Sequence, residues 1–215
     1  MERSIEKEKL DDDRLLSSGA LVAQTYSELA KIHHWLGNTS AIIRRLRNHP
    51  GSLNRVLDIG CGHGALLQQI RNELDVEVVG FDLRPGPKSA PVAILTGDAT
   101  NDPLPAADVA VSVCVAHHLS PQEVIRLIQN VSRSCGRLIL LDLVRHRLPL
   151  TLFRAFVHPW LSEITAADGL TSIRRAYTPR EFREITAAAV GDSGALIIHS
   201  VAPLYIRQIV DISWR

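Results

Sequence analysis

From residue 55 onward, short apolar runs alternate with stretches whose apolar positions recur every three or four residues. The first pattern predicts strands at 55–59, 76–81, 92–95, 108–114, 137–143, 195–201 and 204–212, and the second predicts helices between them. Strand and helix in alternation give a parallel sheet with helices on both faces, a doubly wound α/β fold. Only Ala202-Pro203 separates the last two strands, so they close the sheet as an antiparallel hairpin.

Capping chemistry fixes two helix starts. Ser120-Pro121-Gln122-Glu123 and Thr178-Pro179-Arg180-Glu181 each place a hydroxyl at the N-cap, proline at the first helical position and glutamate where it closes a capping box. Leu119 with Val124, and Tyr177 with Phe182, form the matching apolar staples. Residues 1–50 differ in character and are read as a helical cap or lid on a domain spanning 51–215. Its first dozen residues are charged and expected to fray. Helical periodicity follows at 19–36 and 39–48, broken by a stop and new N-cap at Gly37-Asn38-Thr39. An apolar stripe of Leu21, Tyr26, Leu29, Ile32, Trp35 and Leu36 suits either packing on the sheet or covering a ligand mouth.

A chain of 215 residues, 46% of them apolar, can bury one sizeable core. A net charge of +1 provides no long-range field to gather nucleic acid or anionic membrane, and Arg44-Arg45-x-Arg47 and Arg174-Arg175 read as solvated helix faces or substrate contacts. Neither a signal peptide nor a membrane span is expected, which points to the cytoplasm. Cys61, Cys114 and Cys135 are odd in number and far apart, so they are expected as reduced thiols.

Val56-Leu57-Asp58-Ile59-Gly60-Cys61-Gly62-His63-Gly64 runs an apolar strand into a turn with glycine at alternate positions, followed by a helix with apolar residues at 66, 67, 70 and 74. Glycine without a Cβ lets a ligand approach bare backbone. Gly60-x-Gly62-x-x-Ala65 also satisfies a relaxed dinucleotide pattern. A pyrophosphate, however, would be repelled by Asp58, whereas the ammonium and sulfonium of S-adenosylmethionine suit a carboxylate. The stretch resembles the first motif of class I S-adenosylmethionine-dependent methyltransferases.

That resemblance extends along the chain. Asp82, 24 residues after Asp58 at the end of the second strand, is placed to accept both ribose hydroxyls, with Leu83 beside it. Thr96-Gly97-Asp98-Ala99 resembles the family's adenine-binding motif, with Asp98 taking the amino group and the Ala99 N–H a ring nitrogen. Gly60, Cys61, Gly62 and Val115 complete the implied cofactor set. The family plan also implies a seven-stranded sheet.

Strand four ends Val113-Cys114-Val115-Ala116-His117-His118-Leu119, without the Asn/Asp-Pro-Pro-Tyr/Phe tetrapeptide of enzymes that methylate nitrogen in nucleic acid bases or glutamine. It is similar instead to small-molecule methyltransferases of quinone-type pathways. A neutral imidazole can take a proton from a phenol or enol, making His118, or else His117, the general-base candidate. Cys114, His117 and His118 lack a fourth ligand with recognisable zinc spacing, so no metal is expected. After strand five, apolar residues between 150 and 161 offer a place for substrate. Ser172-Ile173-Arg174-Arg175-Ala176-Tyr177 resembles a segment bordering the acceptor pocket in quinone and polyketide methyltransferases. Arg145, Arg174 and Tyr177 are the acceptor-binding candidates.

The reading is methyl transfer from S-adenosylmethionine, leaving S-adenosylhomocysteine, to a small, largely apolar acceptor, at a phenol, enol or quinol oxygen or a ring carbon. The partners expected are the small-molecule acceptor and a second copy of the chain in a homodimer, with no nucleic acid and no membrane. An NAD(P)-dependent oxidoreductase and a non-catalytic cofactor-binding scaffold are the alternatives.

Overall fold

In the computed structural model, which describes residues 1–4, 6, 8, 19–87 and 89–214, the apolar runs form one seven-stranded sheet. Its strands are β1 (Arg55–Ile59), β2 (Glu77–Asp82), β3 (Ile94–Thr96), β4 (Ala107–Val113), β5 (Cys135–Asp142), β6 (Leu196–Val201) and β7 (Gln208–Ser213). They lie in the order β3-β2-β1-β4-β5-β7-β6. The first five are parallel, and β7 runs antiparallel to both β5 and β6. Seven α-helices accompany them among the described residues: α1 (Gly19–Trp35), α2 (Asn38–Arg47), α3 (Ala65–Leu74), α4 (Pro121–Val131), α5 (Arg147–Leu152), α6 (Glu163–Arg175) and α7 (Pro179–Val190). None is long and apolar enough to cross a membrane.

Alternation along β5 divides the core. Leu138 and Leu140 face α4 and α7 through Leu127, Ile128, Phe182 and Ile185, while Ile139 and Leu141 face α2 through Ile42, Ile43 and Leu46. Helix α2 is therefore part of the sheet's own core, and α1 lies over the cavity described below. Trp35, counted in the apolar stripe of α1, is 70% exposed.

Both capping boxes form as expected. The Tyr177 staple also closes, its ring stacked on Phe182 with centroids 5.8 Å apart. Four expectations need correction. Gly37, at φ 68°, is itself the N-cap of α2, and the Asn38 side chain is buried rather than capping. The hairpin is longer than two residues, because Pro203–Tyr205 form a helical turn with Leu204 and Tyr205 in the left-handed region and β7 begins only at Gln208. Helix α6 was invisible to apolar periodicity because it buries Thr165, Asp168, Thr171 and Ser172, so its inward face is polar. Finally, Met1–Ser4 and Glu8 are docked rather than frayed, while residues 5, 7 and 9–18 lie outside the described residues.

Candidate functional site

One cavity of about 470 Å³ opens at the carboxyl ends of β1, β2 and β4, where parallel α/β sheets hold their ligands. On one side it is walled by Asp58, Gly60, Cys61, Gly62, Asp82, Leu83, Asp98, Ala99 and Val115, every cofactor-side residue expected from the sequence. Gly60 has φ 73°, and a Cβ there would fall 2.3 Å from Val115 Cγ2; at Gly62, with φ 53°, it would fall 2.7 Å from the Tyr26 ring. Any larger residue would fill the cradle. Tyr26 of α1 covers the loop by stacking on His63 at 3.9 Å.

The three carboxylates on this wall are not equivalent. Asp82 accepts hydrogen bonds from the Gly62 N–H (2.8 Å) and the Arg84 N–H (2.9 Å), which ties the first and second loops together. Asp98 is engaged by its own turn, accepting from the Thr100 N–H and hydroxyl and from Asn101 Nδ2. These bonds outweigh its slight burial and hold its carboxyl below the ordinary value. Asp58 is 3% exposed, and burial, reinforced by the charge of Asp82, pushes its pKa well above the ordinary value. A buried carboxylate in that state is stabilised by a cationic donor.

At the other side, β4 is followed by Cys114, a non-glycine residue at φ 57°, which turns the chain so that His117 and His118 re-enter the cavity. Register pairs Val113 with Leu141, so the next residue of β5, Asp142, meets His117. Its carboxylate accepts from the His117 backbone N–H at 2.9 Å and lies 2.7 Å from Nδ1. Across the ring, Nε2 is 3.5 Å from the Glu8 carboxylate, which also accepts from the Ser172 hydroxyl at 2.6 Å. Burial alone would lower the pKa of His117, but Asp142 and Glu8 raise it to about 9. Burial alone would raise that of Glu8, but His117, His118 and Ser172 lower it to about 2. The two carboxylates thus favour the imidazolium form of His117, in which each ring nitrogen carries a proton. His118 has its Nε2 3.8 Å from Glu8 and its side chain one-third exposed. Ligand-type atoms of Glu8, His117 and His118 lie within 4.8 Å of one another.

The three expected acceptor contacts lie elsewhere. Arg145 is buried on Glu181 (2.5 and 2.6 Å), the Ala176 carbonyl (3.0 Å) and the Met1 carbonyl. Tyr177 gives its hydroxyl to the Leu119 carbonyl at 2.6 Å. Neither these two nor Arg174 lines the cavity. The wall they were expected to form is made by α1 and α6 with Phe153, Leu143 and Ile173.

The Methyltransf_11 family, described as a methyltransferase domain, matches residues 57–140, from β1 to β5. That span contains both acidic loops, the adenine-type turn and the histidine pair. Over residues 57–140 the chain is similar to that methyltransferase domain, and its sheet has the Rossmann-like methyltransferase fold. Its fold is shared by human N-acetylserotonin methyltransferase in complex with SAM, at 16% identity and TM-score 0.64, with 93% of this chain and 57% of that one covered. The plantazolicin methyltransferase BpumL, in complex with a triazolic desmethylPZN analogue and SAH, gives 13% identity and TM-score 0.71, with 94% of each chain covered. The mitomycin 7-O-methyltransferase MmcR gives 21% identity and TM-score 0.55 over 76% of this chain and 49% of that one. The chain thus spans little more than half the length of the N-acetylserotonin enzyme. Among curated proteins no sequence relative matches.

The site suits S-adenosylmethionine on chemical grounds: a buried carboxylate in want of a cation at Asp58, and a backbone cradle that a Cβ would fill at Gly60 and Gly62. Sequence reasoning missed Glu8, Asp142 and Ser172. Asp142 carried a readable signal, a carboxylate closing the apolar run Leu138–Leu141. Glu8 and Ser172 carried none, since their meeting depends on contacts 164 residues apart.

Proposed function

We propose that the protein methylates an oxygen of a small, largely apolar acceptor, a phenol, enol or quinol, using S-adenosylmethionine. The observation that carries this reading is the histidine pair, buttressed by Asp142, in the same cavity as the glycine cradle. Bound S-adenosylmethionine supplies a methyl group on a sulfonium sulfur, which leaves as the neutral thioether of S-adenosylhomocysteine. Asp58 would hold its ammonium, Asp82 its ribose hydroxyls, and Asp98 with the Ala99 N–H its adenine. His118 takes the acceptor's hydroxyl proton, and His117, already charged, donates from Nε2 to the oxygen as negative charge gathers there. Asp142 fixes the His117 ring in that orientation. Helix α1 serves as the cap that excludes water, and the apolar walls align acceptor and methyl group.

Calorimetry tests the cofactor half: S-adenosylhomocysteine should bind and NAD(H) or NADP(H) should not. A panel of phenols, enols and quinols incubated with labelled S-adenosylmethionine tests the acceptor half. Label recovered only on carbon, or preference for a dinucleotide, overturns the reading.

A further inference from the structure

The Glu8 carboxylate sits where an acceptor oxygen would have to sit to reach both histidines. It takes a hydrogen bond from Ser172 Oγ at 2.6 Å and lies 3.5 Å from His117 Nε2 and 3.8 Å from His118 Nε2. A carboxylate and a phenolate or enolate are the same object to Ser172 and His117, an acceptor-only oxygen with negative charge. His117 spends Nδ1 on Asp142, which leaves Nε2 to address an oxygen inside the cavity. Burying such an oxygen is costly unless donors meet it, and here they are assembled already.

The segment carrying Glu8 is fastened by its own contacts at the rim. The Arg3 guanidinium donates to the carbonyls of Arg175 (2.6 Å), Leu119 (2.7 Å) and His117 (3.2 Å) and lies 4.2 Å over the Tyr177 ring. The Ser4 N–H donates to the Arg174 carbonyl at 3.1 Å, and Arg145 holds the Met1 carbonyl. These partners are mostly backbone carbonyls close to the seat itself. They hold Glu8 over it without being part of it.

We propose that His117 and Ser172, with His118 beside them, form a seat for the acceptor oxygen that carries negative charge once its proton has gone, and that Glu8 fills this seat until an acidic acceptor displaces it. The acceptor class that follows is an acidic hydroxyl, a phenol or enol whose proton His118 takes or that arrives ionised, or a carboxylic acid, in place of an alcohol or amine. The proposal rests on the oxygen-methylation reading only for which atom receives the methyl group; the seat is defined by donors alone.

The test uses the full chain saturated with S-adenosylhomocysteine. Binding of 4-nitrophenolate, benzoate and uncharged nitrobenzene is measured by calorimetry at pH 8 for the unmodified protein, Glu8→Ala and Arg3→Ala. Emptying the seat should tighten binding of at least one anion tenfold or more without helping nitrobenzene, and the anion that gains tells phenolate from carboxylate. Arg3→Ala should give a smaller gain in the same direction. Anion affinity unchanged or weakened in Glu8→Ala overturns the proposal by making Glu8 a fixed wall of the site. Should that variant lose S-adenosylhomocysteine binding or its folded circular-dichroism signal, Arg3→Ala decides, and an unchanged anion affinity there overturns it. Methylation found on carbon, with the anion gain intact, would remove the oxygen reading and leave the seat standing.

Discussion

Every residue proposed for the cofactor in the β1, β2 and β3 loops lies within three residues of a strand end, whereas the proposed acceptor side is assembled from Glu8, His117 with His118, Asp142 and Ser172, four stretches far apart in the chain. The first wall is a set of local motifs repeated along a sheet edge. The second exists only when the amino-terminal residues, the end of β4, the end of β5 and α6 converge. A substitution on the first wall should change how tightly the cofactor is held. On the second it should change what happens to the acceptor, or how stability depends on pH.

The sharpest separation comes from His118→Ala. Loss of a general base lowers turnover by about 10²–10⁴-fold. Single-turnover methylation of the best acceptor should fall by that scale while S-adenosylhomocysteine affinity, measured by calorimetry, stays within a few fold. A comparable loss of cofactor affinity would show that the two walls are not independent.

The same contrast explains what could be read in advance. The alternation of strand and helix, the glycine turn, Asp82 at the end of β2 and both capping boxes follow from residue types at short, fixed spacings, and each lies where the chain predicts it. Arg174 and Tyr177 were placed on the acceptor side because their segment resembles one, yet it is Ser172 in that segment that faces the cavity. In the helix Ser172 and Arg174 are two residues apart, which points them to different faces. The polar inward face of α6 also hid the helix itself, since Thr165, Thr171 and Ser172 supply no apolar stripe.

The buried charges of the acceptor wall make a second test. Burial would depress the pKa of His117, but Asp142 first and Glu8 next lift it to about 9, above the unfolded value of about 6.5. His118 and His33 are the other titratable groups facing the ring and its partners. A group raised on folding contributes stability that is fully present below the unfolded pKa and lost as pH rises through the folded one. Urea unfolding between pH 6.5 and 9 should therefore show stability falling, by about 3 kcal/mol in all from this residue. In Asp142→Asn the slope should flatten markedly. An unchanged slope would mean that Asp142 does not hold the charge on His117.

On the cofactor wall, Asp82→Ala should weaken S-adenosylhomocysteine binding by about 1.5–3 kcal/mol, the scale of hydrogen bonds to a charged group. It also releases the Gly62 N–H, so part of the loss is a looser loop. Thermal unfolding without ligand should change far less than affinity does. Equal affinity for the variant and the unmodified protein would assign Asp82 to loop architecture alone.

The smallest effect is expected where sequence was most readable. Thr178 accepts the Glu181 N–H at 3.3 Å while Glu181 accepts the Thr178 N–H at 2.8 Å, a closed box at the start of α7. Thr178→Ala removes the hydroxyl and leaves one helix donor without its partner, which costs about 1 kcal/mol of stability. Glu181 also accepts from Arg145, so the backbone entry to α7 retains a second tie and the helix stays in place. Because neither residue lines the cavity, S-adenosylhomocysteine affinity and turnover should match those of the unmodified protein at temperatures well below the unfolding transition. A change in turnover at constant cofactor affinity would show that the start of α7 reaches the acceptor wall through Tyr177 and the Leu119 carbonyl, which would blur the division between local scaffold and assembled site.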